Sequence, residues 1–392
     1  MDEALQQMLT AARQPNVYAR GWKVRSGRKV VGSFPMHFPA EVIHAAGATP
    51  VVLQEDDEPI TVGHAGMYPF FCGYTRSVVD QAAKGDFDYL DAIMFGDHCV
   101  QILSAADVIR HRIPDKHVGF YQLIPSLRDR WSLENSMQAL RRLIDGIEET
   151  LGVTITEDDL RASIRAFNEN RQMIRHLYGL RRTGKLRLRA SQMQAIIKSS
   201  MVMDKAEHNA LLRHITEALG DEAEISGRGL PVYLSGHLCQ AAKPAVLDMI
   251  ESCGTIVVDD DLYHGYRYIS MDMEAQGDPV KAIASWYLNR NFAAPCPTRL
   301  DPGIDWDGWL LNAVKASGAQ GMIVLMAKFC EPHYFYYPRI RKTFERNDVP
   351  HLLIETEHEM LGLENIRTKV ETFVEVARRR SAPQRSAPHA MA

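Results

Sequence analysis

Gly321-Met-Ile-Val-Leu-Met-Ala327 is apolar from end to end, with no polar residue alternating into it. A strand with one wet face alternates, whereas an unbroken run of this length suits a strand buried on both faces of a parallel sheet. Comparable runs lie at 29–34, 50–54, 91–95, 117–124, 231–235, 255–258 and 351–355, each bounded by Gly, Pro or Asp. Helical stretches separate them. Pro39-Ala-Glu-Val-Ile-His-Ala-Ala-Gly47 has Pro in its first turn and Gly just past its end, which are start and stop signals. Strand alternating with helix implies an α/β architecture.

The middle of the chain differs. From Ser132 to Leu219 there is almost no strand signal. Thr156-Glu-Asp-Asp159 resembles a capping box with Asp in the usual Glu position. It opens a helix whose apolar residues Leu160, Ile164, Phe167, Ile174 and Leu177 fall at helical spacing, interrupted by Arg171. Further helices are expected over 191–203 and 205–219. The expected fold is therefore α/β: two Rossmann-like, doubly wound, mostly parallel lobes with a helical segment between them. The division is 20–130 for an N-terminal α/β cluster-binding lobe, 131–225 for the helical linking segment, 226–376 for a C-terminal α/β lobe and 377–392 for a disordered tail.

The 392 residues carry 45 Lys plus Arg against 49 Asp plus Glu, a formal net charge of −4. That balance argues against a nucleic-acid surface, which needs a basic excess. No apolar run approaches the ~20 residues required to cross a membrane. The start, Met1-Asp-Glu-Ala-Leu, has neither the basic nor the apolar part of a signal peptide, so a cytoplasmic location is expected. There is no P-loop, no Gly-x-Gly-x-x-Gly after a strand, no His-Glu-x-x-His and no Gly-x-Ser-x-Gly. Some other reactive centre is needed.

Six cysteines are too few for a disulfide scaffold; they are packing residues, metal or cluster ligands, or catalytic thiols. Cys99 and Cys330 each follow an apolar run, and Cys72 sits in a Pro- and Gly-containing loop, Tyr68-Pro-Phe-Phe-Cys-Gly-Tyr-Thr-Arg76. Ligands of open α/β sheets bind at the carboxyl ends of strands. Three thiolates from such loops are able to hold three irons of a [4Fe–4S] cube, leaving one iron open. The spacings match no compact ligand motif, so by spacing alone buried packing thiols are the default. Cys239 and Cys253 flank an apolar helix, 244–250, and read as packing residues. Cys296, held between prolines in Ala294-Pro-Cys-Pro297, is a candidate extra ligand.

Several segments together resemble the 2-hydroxyacyl-CoA dehydratase D-component family, which includes the benzoyl-CoA reductase B and C subunits. They are Phe38-Pro-Ala-Glu-Val-Ile-His-Ala-Ala-Gly-Ala-Thr-Pro50, Cys72-Gly-Tyr-Thr-Arg-Ser77, Asp91-Ala-Ile-Met-Phe-Gly-Asp-His-Cys99, Gly254-Thr-Ile-Val-Val-Asp-Asp260, Lys328-Phe-Cys-Glu-Pro332 and Val349-Pro-His-Leu-Leu-Ile-Glu355. The length and the stretch 99–110 look most like the C-type subunit. His98, and His237 with Cys239 in a loop led by Gly236, depart from the expected pattern. The resemblance implies that Cys72, Cys99 and Cys330 ligate a [4Fe–4S] cluster. It also implies a homologous B-type cluster subunit, separate ATPase activator subunits with their own cluster, and ferredoxin as upstream donor. The implied reaction is dearomatisation of benzoyl-CoA to a cyclohexadiene-carbonyl-CoA in anaerobic aromatic catabolism. A subunit of a 2-hydroxyacyl-CoA dehydratase, an electron-relay subunit that binds no substrate, and a metal-free binding protein are the alternatives.

A radical anion of the ring requires a proton donor within reach. His98 and Glu331 are the first candidates; His333 and the weaker Tyr74 follow. Arg76 is placed either to offset cluster charge or to pair with Asp80. The basic run 181–189 reads as a solvated helix end before it reads as a phosphate site.

Overall fold

The computed structural model describes residues 2–186, 188–219, 229–299, 301–360 and 362–381. Eight strands form two separate four-stranded sheets, all parallel. The first contains β1 (Val30–Ser33), β2 (Thr49–Val52), β3 (Ala92–Gly96) and β4 (His117–Tyr121), in the order β2-β1-β3-β4. The second contains β5 (Leu230–Gly236), β6 (Thr255–Asp260), β7 (Gly321–Ala327) and β8 (His351–Thr356), in the order β6-β5-β7-β8. Every strand expected from an apolar run is present, and the fold is two Rossmann-like lobes.

The reason for continuous apolar strands is visible in β5 and β7. Val232, Leu234, Ile323 and Leu325 pack on one side with Ile250 and Val370. Tyr233, Met322 and Val324 pack on the other with Trp306, Ile340 and Phe344. Helices cover both faces, so neither parity of side chain meets water.

Two helices precede the first strand, α1 (Asp2–Arg13) and α2 (Pro15–Ser26). Then α3 (Ala40–Ala45), α4 (Gly73–Lys84) and α5 (Val100–Arg112) serve the first sheet. The middle segment is α6 (Ser132–Leu151), α7 (Glu157–Arg182), α8 (Ala190–Ser200) and α9 (Lys205–Leu219). The second sheet has α10 (Pro244–Ser252), α11 (Tyr266–Ile269), α12 (Pro279–Ala293), α13 (Trp306–Ala316), α14 (Glu331–Arg346) and α15 (Leu363–Ser381). The capping box at the start of α7 is formed: the Asp159 N–H donates to the Thr156 hydroxyl at 3.2 Å, and the Thr156 N–H donates to the Asp159 carboxylate at 2.9 Å.

The middle helices are no detached spacer. Residues of α1, α7, α8 and α9, among them Met8, Ile174, Ile196 and Ile215, share a core with Val30 and Phe95 of the first sheet. Arg171, which interrupts the apolar stripe of α7, is buried and paired with the buried Glu41 of α3. Its guanidinium also donates to the Asn168 side chain at 3.0 Å. The boundary expected at 20 falls inside α2, and the one expected at 225 lies outside the described residues. The tail expected from 377 begins inside α15, and 382–392 lie outside the described residues.

The order 2-1-3-4 in each sheet creates a switch point. From β1 the chain moves to one side for β2, then crosses back to the other for β3; β5, β6 and β7 repeat this. The crevice beyond the carboxyl ends at such a point is where ligands bind in open α/β sheets.

Candidate metal centre

Cys72, Cys99 and Cys330 each occupy the same structural position. Each is the residue at the N-terminal cap of a helix: Cys72 for α4, Cys99 for α5, Cys330 for α14. The carbonyl of Cys99 accepts from the N–H groups of Ile102 and Leu103 at 3.1 and 3.2 Å, and that of Cys330 from His333 and Tyr334, both at 3.1 Å. The first N–H groups of a helix have no partner within it and carry the positive end of its dipole. Three such ends converge on one place, where negative charge is favoured.

One side chain ties the three loops together. The buried Gln101, in the first turn after Cys99, accepts from the Cys72 N–H at 2.7 Å and donates to the Phe329 carbonyl at 2.8 Å. Gly73 lets α4 start here, since a Cβ on it would stand 2.8 Å from the Cβ of His358 and 2.9 Å from the Gln240 amide. Phe329 stands at φ 64, a left-handed conformation held just before Cys330.

The three cysteines line a single cavity of about 40 Å³. Its wall is completed by residues from both lobes, including Met36, Tyr74, His98 and Ile102 from the first and Leu238, Cys239, Ala327 and Glu331 from the second. Burial pushes the Cys72 thiol up to about 11, opposed by Thr75. Burial likewise raises Cys99 and Cys330, and each is pulled back by backbone N–H groups of its own first turn: Gln101 and Ile102 for Cys99, His333 for Cys330. The sulfurs also raise one another by mutual repulsion, Cys99 acting on both Cys72 and Cys330. Burial by itself keeps these thiols protonated; a bound metal reverses this by deprotonating them outright.

Among the described residues, no three His, Cys, Asp or Glu side chains stand close enough to hold one ion. Cysteine thiolates are the donors by which iron–sulfur clusters are held, so the donor type on this wall fits such a group. Buried Arg290 makes no salt bridge with any described residue; its guanidinium donates to the Arg267 carbonyl at 3.0 Å and lies over the Trp286 ring at 5.0 Å. Burial lowers it to about 10. Arg299, which pairs with Asp97 at 3.4 Å, and Arg290 both depress His98.

The other expected residues divide. His98 is on the wall, its Nε2 3.5 Å from the Cys239 sulfur. Burial, then Arg299 and Arg290, lowers it to about 3, so it is a neutral imidazole. Glu331 is at the rim and exposed. Tyr74 lines the cavity, but its hydroxyl is committed to the Leu53 carbonyl at 3.0 Å. His333 is buried against Trp306 and is not on the wall. Cys296 is buried in the core beside the cavity; its thiol meets the Thr298 hydroxyl at 3.0 Å, and Thr298, not Cys296, forms the wall. Two wall residues escape a reading of the sequence. Gln101 has no chemistry that singles it out there, and Cys239 reads as a helix-flanking packing residue.

Two further expectations are corrected. Arg76 does not pair with Asp80: its Nε donates to the Phe71 carbonyl at 3.0 Å. Asp80 instead takes Lys84 at 2.6 Å and the N–H groups of Thr61 and Gly63 at 3.0 and 2.7 Å. The start of the basic run is not a solvated helix end. Arg181 is buried and donates to the Val257 carbonyl at 2.6 Å, and Arg182 pairs with Asp259 at 2.6 Å, clamping α7 to β6.

The fold and this site define a two-lobed parallel α/β protein with a cysteine-walled cavity between its switch points. The family model for the 2-hydroxyglutaryl-CoA dehydratase D-component matches residues 35–377, and the chain belongs to that family. It is 27% identical over 361 residues to the C subunit of benzoyl-CoA reductase from Thauera aromatica, covering 91% of this chain and 93% of the relative. It is 26% identical to the beta subunit of lactoyl-CoA dehydratase from Anaerotignum propionicum (96% and 99% covered). It is 24% identical to the beta subunit of (R)-phenyllactyl-CoA dehydratase from Clostridium sporogenes (92% and 95% covered). Among the described residues, no helix is long and apolar enough to cross a membrane.

Proposed function

We propose that this chain is the iron–sulfur subunit of an ATP-dependent, ferredoxin-linked benzoyl-CoA reductase, with a [4Fe–4S] cluster held by Cys72, Cys99 and Cys330. The observation that carries the reading is the cavity itself: three cysteines remote in sequence, each at a helix N-terminus, sharing one wall. The likeness to a benzoyl-CoA reductase subunit over nearly all of both chains supports an aromatic acyl-CoA as the substrate class.

When bound, the cluster supplies single electrons at low potential. The chain's residues do the rest. Three thiolates bind the irons, with the three helix ends offsetting their charge. Met36, Tyr74, Ile102 and Leu238 keep water from the sulfurs. His98 on the wall and Glu331 at the rim are the candidate proton donors. The overall reaction adds two electrons and two protons to benzoyl-CoA, giving a cyclohexadiene-carbonyl-CoA. The electrons come from reduced ferredoxin through separate ATP-hydrolysing subunits.

Partners are needed to deliver them, and the surface suits docking. Tyr68, Phe70, Val100, Phe329, Tyr334 and Phe335 are exposed, and all lie within a few residues of the three cysteines. Tyr68 stacks on Phe70 at 5.2 Å. Exposed apolar groups gathered at one place mark an interaction surface. A homologous B-type cluster subunit is the occupant this reading assigns to it.

A second reading, a 2-hydroxyacyl-CoA dehydratase subunit, is favoured by the dehydratase relatives. The test is anaerobic co-purification with the partner subunits, followed by each thioester in turn. Benzoyl-CoA-dependent ATP hydrolysis with dearomatised product is expected. Dehydration of a 2-hydroxyacyl-CoA with only catalytic ATP overturns the reductase in favour of the second reading. Absence of iron and acid-labile sulfide overturns both.

A further inference from the structure

We propose that Cys239 is a fourth thiolate ligand of the cluster, so that all four irons in this chain are bound by protein and none is open. The inference rests on the cluster reading above and deepens it. Cys239 lines the same cavity as Cys72, Cys99 and Cys330. Two of these thiols come from the first lobe and two from the second.

The loop that carries it is built tightly. It leaves β5 at Gly236, where φ is 108 and an added Cβ would stand 2.1 Å from the Leu325 carbonyl oxygen. His237 follows at φ 36, a strained conformation for a residue with a side chain, held by its Nε2 against the Thr356 hydroxyl at 2.7 Å. Leu238 and Cys239 then enter the wall. Beside the Cys239 sulfur stands the neutral His98 Nε2, from the opposite lobe, at 3.5 Å. The rival sulfur, Cys296, is engaged with Thr298 and lies off the wall.

Ligation breaks the S–H bond of Cys239 and forms one iron–sulfur bond. It displaces the water or hydroxide that would otherwise complete the fourth iron, and the proton leaves to solvent; no oxidation state changes. A cluster closed in this way offers no iron to a substrate oxygen, which makes this chain the electron carrier of the pair.

The experiment uses the anaerobically purified complex with its partner subunits, wild type and Cys239→Ala in this chain alone. Both are treated with ferricyanide and examined by electron paramagnetic resonance for the three-iron cluster left when an unprotected iron is lost. The partner's own cluster contributes equally to both samples. The expected result is that Cys239→Ala gains about one additional three-iron spin per chain over wild type. Cys239→Ser, which keeps an oxygen ligand, restores resistance and changes the reduced cluster's spectrum. Equal spin in wild type and Cys239→Ala, at equal iron content, overturns the fourth ligand and leaves the three-cysteine cluster standing. Should Cys239→Ala not fold, alkylation mapped by mass spectrometry on wild type decides. Cys239 is expected to be protected in the loaded complex and modified after chelation, and modification while the irons are bound overturns the proposal. No iron in this chain at all defeats the cluster reading itself.

Discussion

The two lobes have the same topology but meet the cavity with different chemistry. Cys99 and Cys330 stand at the same offset beyond β3 and β7, each capping the helix that follows. The loops after β1 and β5 also correspond. At the same offset one presents Met36 and the other Cys239, both on the cavity wall, and each loop carries a left-handed residue, Met36 at φ 68 and His237 at φ 36. The remaining cysteine breaks the symmetry. Cys72 sits in the long connection between β2 and β3, whereas the connection after β6 carries the buried Asp261–Arg267 pair at 2.8 Å. A repeated fold thus supplies the geometry of a shared cavity, and a few positions decide which lobe contributes a thiol, a thioether or an ion pair.

The largest effect tests whether both lobes grip one centre. Removing both thiols of the second lobe, Cys239→Ala with Cys330→Ala, should strip iron as thoroughly as removing both of the first, Cys72→Ala with Cys99→Ala, from about four irons per chain to well under one. Iron and acid-labile sulfide analysis reads this directly. Four irons retained in Cys239→Ala with Cys330→Ala would mean that the second lobe is only a lid.

Next in size is the contrast in how α7 is fastened to each lobe. On the first, Arg171 and Glu41 are both buried. On the second, Arg182 is partly exposed against the buried Asp259. Arg171→Met leaves a buried carboxylate alone and should cost about 3–5 kcal/mol. Arg182→Met should cost about 1–3 kcal/mol, the range for a buried charged group losing its hydrogen bond. Denaturant unfolding of the two variants ranks them, and equal costs would erase the contrast.

What the sequence disclosed follows the same division between local and non-local information. Apolar runs mark all eight strands, buried on both faces in the central ones and partly exposed in the edge strands β4 and β8, because sheet burial is written into each segment separately. The capping box of α7 and the bounds of α9 are equally local. The pairing of β5 with β7 is not, and it is this pairing that brings the Gly236 loop, and so Cys239, to the cavity. Gln101 was invisible for the same reason: its two partners lie 29 and 228 residues away. Arg171 appeared only as a flaw in a stripe, since its partner Glu41 is on another helix. For the three cysteines, spacing is silent: strand ends single out Cys99 and Cys330, a Pro- and Gly-containing loop suggests Cys72, and the family resemblance joins the three.

Gln101 joins the two lobes at the cavity itself. Gln101→Leu leaves the Cys72 N–H without its partner and the Phe329 carbonyl with only the Glu331 N–H at 3.0 Å, and should cost about 1–3 kcal/mol. It should also speed iron loss to a chelator. Gln101→Glu keeps the acceptor for Cys72 and loses only the donor to Phe329, so it should fall between Leu and wild type. Chelation rates in that order support a bridging amide; identical rates for the three proteins would reduce Gln101 to ordinary packing.

The smallest effect concerns a pH-dependent pin between the lobes. His358, after β8, places its Nδ1 2.5 Å from Glu55, after β2, and its Nε2 2.7 Å from the Glu58 carbonyl; Asp56 lies 3.9 Å away. Burial pulls this imidazole down and Lys243 works in the same direction. The hydrogen bond and charge of Glu55, with the Glu58 carbonyl, outweigh them and raise it above the ordinary 6.5. A raised value means that the folded protein holds the proton more tightly than the unfolded chain. The stabilisation is therefore complete below about 6.5 and is lost as pH rises through the raised value. His358→Gln should lower the melting temperature most near pH 6 and least near pH 9. A gap between wild type and variant that widens as the solution becomes alkaline would mean that His358 acts as a neutral ring, and that the lobes are held together at this point by shape alone.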